Sequence, residues 1–472
     1  MVFSSAVFVY AFLPVVLFCY YVLFRKHRKA QNTFLLLASL LFYAWGEPKA
    51  VLVMIASILI NWFFGWMIGK NRENRKKNKL LLTADVMLNL AVLFVFKYLV
   101  STCSSLNQWF GLAVPVPAIT LPIGISFFTF QGMSYVIDVY RRKGEVQPSI
   151  LSVGLYIAFF PQLVAGPIVR YETIADQIMN RKETPNDLFD GFARFVVGLS
   201  KKVLLANGFA VIADAAFEAV GSGEHISVLF AWLGAAAYML QIFFDFGGYS
   251  DMAIGLGRMF GFHYLENFDY PYISTSVTEF WRRWHISLGA WFRDYVYYPL
   301  GGSRCGRGRT ILNLFIVWAL TGIWHGADLT FLLWGLLYFV LLVFEKQTGL
   351  HKITGKKSAA FRWLYTMWFV LLGWVLFRGD SVGEAVQYYG LMFGLPGNDL
   401  IDAAVQGWLI QNMILFGVGL VLCTPLFRTL ARKTENSRPA GIVKAGGLIC
   451  LFILSVASFV CDSYNPFIYF QF

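Results

Sequence analysis

The sequence predicts an all-α polytopic membrane protein, and three observations carry that reading. Of 472 residues, 58% are hydrophobic and 14% charged, whereas a soluble globular chain is near half apolar and a quarter charged. The apolar residues gather into runs close to the roughly 20 needed to cross a bilayer as a helix. The basic residues fall in short clusters between those runs, the mark of cytoplasmic loops. Aromatics at 18% suit segments that cross two interfaces, where Trp and Tyr collect. No polar stretch is long enough for a soluble domain, so 1–461 is read as one membrane domain and 462–472 as an aromatic tail.

In order, the apolar runs are 2–24, 33–46, 50–69, 80–100, 118–137, 150–168, 188–216, 226–250, 311–345, 361–377, 408–427 and 441–461. They amount to about 10 to 12 crossings. The first is not expected to be a cleavable signal peptide, because its basic residues, Arg25-Lys26-His27-Arg28-Lys29, follow it rather than precede it. Further basic clusters at 70–79, 141–143, 304–309, 346–357 and 428–444 account for the net charge of +12. Their dispersal over short loops argues against a nucleic-acid partner. Placing them in the cytoplasm puts the N-terminus outside and runs the last span, 441–461, outward. The final residues, NPFIYFQF, would then be extracytoplasmic.

The six cysteines show no CxxC pair, and no metal-ligand spacing is present. Gly255-Leu-Gly257-Arg-Met-Phe-Gly261 lacks the dinucleotide-fingerprint spacing and reads as helix packing by small residues. Of the six histidines, His27, His225, His263 and His351 sit in polar or basic connectors and read as solvated or interfacial.

His325 differs. It lies in the 311–345 run, which as one helix would be about 52 Å long at about 1.5 Å per residue, against a hydrocarbon core of about 30 Å. The run must break, and Gly322-Ile-Trp324-His325-Gly326 is the obvious place. Both ends abut basic loops, so the chain should enter, turn near His325 and return. An ionisable group at such a turn is costly and suggests function by default; a packing histidine is the plain alternative. Asp328 could orient its ring or cap the second arm. A histidine there could serve as general base for a hydroxyl attacking an acyl carbonyl.

The stretch 278–302, TEFWRRWHISLGAWFRDYVYYPLGG, mixes Arg282, Arg283, His285, Arg293 and Asp294 with Trp281, Trp284 and Trp291. At helical spacing Trp281, Trp284, Leu288, Trp291 and Tyr295 share one face and the charges the other, as for a helix lying in the interface. Spacing fits equally an aromatic anchor or a collar around a cavity, with arginines set for phosphates.

FWRRWHISLGAWFRDYVYYPLGG and TGIWHGADLTFLLWG closely resemble the membrane-bound O-acyltransferase family, in its bacterial alginate O-acetyltransferase branch. FFPQLVAGPIVRY (159–171) and FFDFGGYSDMAIGLG (243–257) are similar to that branch's signature blocks. The resemblance implies a ring-like fold of broken or re-entrant helices around a central tunnel. There a cytosolic donor, acetyl-CoA with no permanently bound cofactor, meets an extracytoplasmic polysaccharide acceptor. It places the catalytic histidine on His325 and the second characteristic histidine on His285. Arg282, Arg283, Trp284, Arg293, Asp294, Trp324 and Asp328 become candidates for the donor site and tunnel.

Two positions depart from the family pattern: Leu329 stands where a Trp is usual, and Tyr338-Phe-Val where many relatives have Tyr-His-Gly. In this branch an extracytoplasmic SGNH-type partner generally completes the transfer, and NPFIYFQF looks like an aromatic relay motif fused to the chain, with Tyr469 as acyl carrier. A tail anchored among lipid headgroups explains the rings equally. A bacterial inner-membrane location follows from the resemblance. The alternatives are a D-alanyltransferase fed by a carrier protein and, more remotely, a transporter. The latter is disfavoured by the lack of an internal repeat and of an acidic ion-coupling residue in an apolar span pair.

Overall fold

The computed structural model describes residues 1–434, 437–461 and 468, apart from the side chains of Lys356 and Arg438. Among them every regular element is helical. Eight helices are long and apolar enough to cross a membrane: Ala50–Lys70, Arg75–Lys97, Pro185–Gly221, Val228–Met259, Leu329–Thr348, Ala359–Arg378, Ala403–Leu422 and Pro439–Cys461. The remaining apolar runs fold as shorter or interrupted helices. The first is an α-helical turn between two π-helical ones, spanning Phe8–Leu23, and the 150–168 run contains a nine-residue helix, Ile150–Ala158. The chain is a multi-pass membrane protein.

Two compact units make up the chain, residues 1–195 with 250–265, and 196–249 with 266–472. In the first unit, buried amides hold helices together. Asn61 donates to Asn89 Oδ1 at 3.2 Å, and Asn89 donates to the Asp85 carbonyl at 3.0 Å. A Cβ on Gly132 would come within 2.5 Å of the Asn61 amide, so helix Ile125–Tyr140 packs there only through a glycine. Gly255 approaches the backbone of Gly191, where a Cβ would lie 2.5 Å from its carbonyl oxygen. This is the small-residue packing expected of that stretch.

The basic cluster at 25–29 has a structural member. Arg28 pairs with Glu183 through both guanidinium nitrogens, and the wholly buried Arg181 donates to Asn32 Oδ1 at 2.7 Å and to the Phe260 carbonyl at 3.0 Å. Arg28 therefore fastens a connector as well as carrying loop charge. Bidentate arginine–carboxylate geometry favours that use.

The second unit contains the expected hairpin. Helix Arg307–His325 ends at His325, Gly326 is extended, and helix Leu329–Thr348 returns. The chain turns where the sequence says, but Gly322 remains helical and does something else. A Cβ on Gly322 would lie 2.5 Å from the Phe331 carbonyl oxygen, and one on Gly335 would strike the Trp318 carbonyl oxygen. The two glycines let the arms touch backbone to backbone, and the break itself falls at Gly326.

Candidate active site

His325 is carried at the end of the hairpin's first arm and is 5% exposed. Among the described residues, three rings meet it almost edge-on: Trp324 at 4.9 Å, Trp334 at 5.1 Å and Phe377 at 5.1 Å between centroids. Trp334 comes from the returning arm and Phe377 from helix Ala359–Arg378. The imidazole is thus fixed by packing on neighbours from three helices. Asp328 stands exposed at the N-cap position of the second arm, and its side chain makes no cap hydrogen bond.

His285 is held differently. The 278–302 stretch is not one helix: Val277–Arg283 and Ile286–Phe292 are separate, with a π-helical turn Arg293–Tyr297 after them. His285 sits between the first two with φ 43° and ψ 53°, a left-handed backbone that L-residues adopt at a cost. The turn is over-determined by Asn267, whose carbonyl oxygen accepts the Ile286 N–H at 2.9 Å. The Asn267 side-chain oxygen accepts the Ser287 N–H at 3.1 Å and its hydroxyl at 2.8 Å.

The same Asn267 oxygen lies 3.2 Å from His285 Nδ1. A backbone N–H only donates, so the Asn267 atom facing it is an acceptor, and His285 Nδ1 must carry the proton. Nε2 is then the basic nitrogen of the neutral ring. Burial drives the His285 pKa from 6.5 down to about 3, because the charged ring would lose its water.

Val277–Arg283 is secured at its start. Ser276 and Glu279 form a capping pair, and the buried Glu345 carboxylate accepts the Val277 N–H at 2.6 Å, the Thr278 N–H at 2.8 Å and the Thr278 hydroxyl at 2.6 Å. Glu345 belongs to the second arm of the hairpin, so the arm that frames His325 also sets the helix leading to His285. The two histidines meet through one ring: Trp324 is 4.9 Å from His325 and 6.2 Å from His285.

A cavity of about 460 Å³ reaches His285, and Arg282, Arg293, Lys346 and His351 lie on its wall. A second, of about 590 Å³, shares Lys346 and Leu314 with the first and adds Arg307. Clustered cations around a hollow suit a ligand bearing phosphates. Trp284 also lines the first cavity, while Arg283 is committed to Glu279 and Asp269. Asp294 pairs with Arg293 at 3.3 Å. His27, His225 and His263 are exposed as expected, but His351 lies on the cavity wall, its Nδ1 2.8 Å from the Glu345 carbonyl oxygen.

Sequence reasoning missed Asn267, Glu345, Phe246 and Phe377. It also overlooked an acid in an apolar span. Asp245 lies in helix Val228–Met259 and pairs with Lys202 at 2.8 Å, with side chains 2% and 3% exposed. The signal was present as the single charge of the run 226–250, Asp245, and as Lys202 among the five charges of the run 188–216. Tyr469 lies outside the described residues.

The profile of the membrane-bound O-acyltransferase family matches residues 87–382. The chain is 38% identical to the probable alginate O-acetylase AlgI of Pseudomonas putida over the whole of both chains. It is 33% identical to the peptidoglycan O-acetyltransferase of Helicobacter pylori over 88% of this chain and 84% of that one. Similarity to the teichoic acid D-alanyltransferase of Bacillus subtilis, 28% identical, covers 54% of this chain and 68% of that one. With these matches over a helical membrane fold that buries two histidines around one tryptophan, the chain is an acyltransferase and belongs to the membrane-bound O-acyltransferase family.

Proposed function

We propose that the protein moves an acetyl group from cytosolic acetyl-CoA to a hydroxyl of an extracytoplasmic, alginate-like polysaccharide, by way of Tyr469 and an SGNH-type partner. The observation that carries this is the histidine pair bridged by Trp324, with a basic-walled cavity opening on the His285 side. The cavity would take the phosphates of the donor on Arg282, Arg293 and Lys346, with Arg307 on the adjoining one. His285, neutral and with Nδ1 tied to Asn267, would present Nε2 to the thioester end.

In the first step His325 accepts the phenolic proton of Tyr469 as the oxygen attacks the thioester carbonyl carbon. A phenol with a pKa near 10 needs such a base at neutral pH. A C–O bond forms, the C–S bond breaks, and the thiolate leaves and takes the proton back from His325. In the second step a serine of the partner attacks the aryl ester, which restores the phenol, and the acetyl group passes on to the polymer. The acceptor follows from the relatives, named for alginate and peptidoglycan acetylation. The inner-membrane location is the one the family resemblance implies, and the loop charges support an orientation with both termini outside.

The test uses membranes containing the protein and its partner, supplied with labelled acetyl-CoA and polymer. Label should reach the polymer in the parent and be lost with His325→Ala and Tyr469→Phe. Full polymer acetylation by the Tyr469→Phe protein would remove the relay and leave direct transfer. Labelling from a D-alanyl carrier protein but not from acetyl-CoA would replace the acetyl reading with a D-alanyl one.

A further inference from the structure

The buried Lys202–Asp245 pair takes no part in the chemistry above, yet charges within apolar spans are expensive and ask for a reason. Stability is a poor one, since a buried pair often contributes less than well-packed apolar side chains would. The geometry offers another. Asp245 Oδ1 takes Lys202 Nζ at 2.8 Å, and Lys202 is itself held by Asn207 Oδ1 at 2.9 Å. Asp245 Oδ2 accepts the backbone N–H of Ile468 at 2.9 Å, and Ile468 is 5% exposed. Each carboxylate oxygen thus has its own partner, and one partner is the main chain of the C-terminal segment.

The neighbourhood of that contact is specific. Phe246, the residue after Asp245, lies edge-on to His285 at 4.7 Å. The last helix is tied to the segment that supplies Lys202: Ser455 and Ser200 hydroxyls are 2.9 Å apart, and Ser458 donates to the Val203 carbonyl at 3.3 Å. Lys202 itself lies on a π-helical stretch, Lys201–Ala206, of the kind often found at functional sites.

We propose that Asp245, braced by Lys202, is a latch that receives the Ile468 N–H and so holds the main chain at Ile468 beside the histidine site. Asp245 and Lys202 are positioning residues; neither touches the reacting atoms. The catalytic consequence rests on the Tyr469 relay proposed above, whereas the latch itself does not.

The experiment is residue-resolved amide hydrogen exchange on the full-length protein in lipid nanodiscs, beside acetyl labelling of the same samples from acetyl-CoA. The Ile468 amide should be protected in the parent. Lys202→Met with Asp245→Leu removes the pair without stranding a charge, and should speed exchange at Ile468 by about 10- to 100-fold, the worth of one charge-assisted hydrogen bond. Amides of Arg307–His325 should keep their protection, which shows that the fold survives. Ile468→Pro deletes the donor and leaves the ion pair intact; it should slow labelling about tenfold or more with KM for acetyl-CoA unchanged, whereas Ile468→Ala should not.

Unchanged exchange at Ile468 in the double variant would overturn the latch. Loss of protection in a protein whose parent never takes label would uphold the latch and defeat the relay. His325→Ala should abolish labelling while Ile468 stays protected, which separates the two roles.

Discussion

The two buried histidines sit on different backbones. Around His325 are a helix end, two arms pressed together at glycines and, among the described residues, three rings. His285 is held by hydrogen bonds: a left-handed turn clamped by one asparagine that also sets the ring's tautomer. The asparagine clamp chooses which ring nitrogen of His285 carries the proton, and suits a group that must present one lone pair to a ligand.

The largest effect that would sharpen this comparison is His325→Ala, which should lower transfer by about 10²- to 10⁴-fold, the worth of a positioned general base. The measurement is the initial rate of acetyl transfer with saturating donor; a loss of less than tenfold would put the base elsewhere. Next is Gly335→Val. The new side chain meets the Trp318 carbonyl, which belongs to rigid backbone, so the arms must part and carry His325 with them. Transfer should fall about 100-fold, as for a displacement near 1 Å, with a lower melting temperature.

Asn267→Ala should act more gently, about tenfold, since one hydrogen bond to the ring and two to the turn are lost. Its signature is a raised KM for the donor rather than a lower rate at saturation. Acidification gives a companion test. The folded His285 pKa is about 3 and the unfolded value 6.5, so between them the unfolded chain binds the extra proton. Stability should fall as pH drops from 6.5 toward 3, and thermal melts of His285→Gln should lack that component. Smallest is Glu345→Gln, which keeps the shape but weakens the cap on Val277–Arg283, lowering stability by about 1–2 kcal/mol.

What the sequence disclosed follows the same division. The hairpin was legible because a run too long for one crossing, bracketed by basic loops, has few ways to fold, and Gly322 and Gly326 marked the turn. The long spans were legible from hydropathy alone. The 278–302 stretch misled, because helical periodicity gave no sign that the backbone reverses at His285. Of the five residues on the expected face, Trp284, Leu288, Trp291 and Tyr295 are buried and Trp281 is half-buried, but the face is assembled from three short elements and the break at Trp284–His285.

Asn267 was out of reach for another reason. Its partnership with His285 spans 18 residues that include the helix Val277–Arg283, and no local pattern encodes it. Glu345 closed the apolar run 311–345 without being singled out, yet it is fully buried as a cap. Asp245 was visible as the one charge of its run and Lys202 as one of five in its own, but only the fold brings them together. Position in the sequence identified the residues that could do chemistry, and the partners that tune them came from tertiary contacts.

The most direct test of the central claim is to incubate the purified protein in nanodiscs with labelled acetyl-CoA, without partner or polymer, and locate the label by mass spectrometry. The account predicts one acetyl group on the C-terminal peptide, at Tyr469, absent when His325 is alanine. A parent protein with no acetyl at Tyr469 under conditions that support polymer acetylation would contradict it, as would equal labelling of the His325→Ala protein.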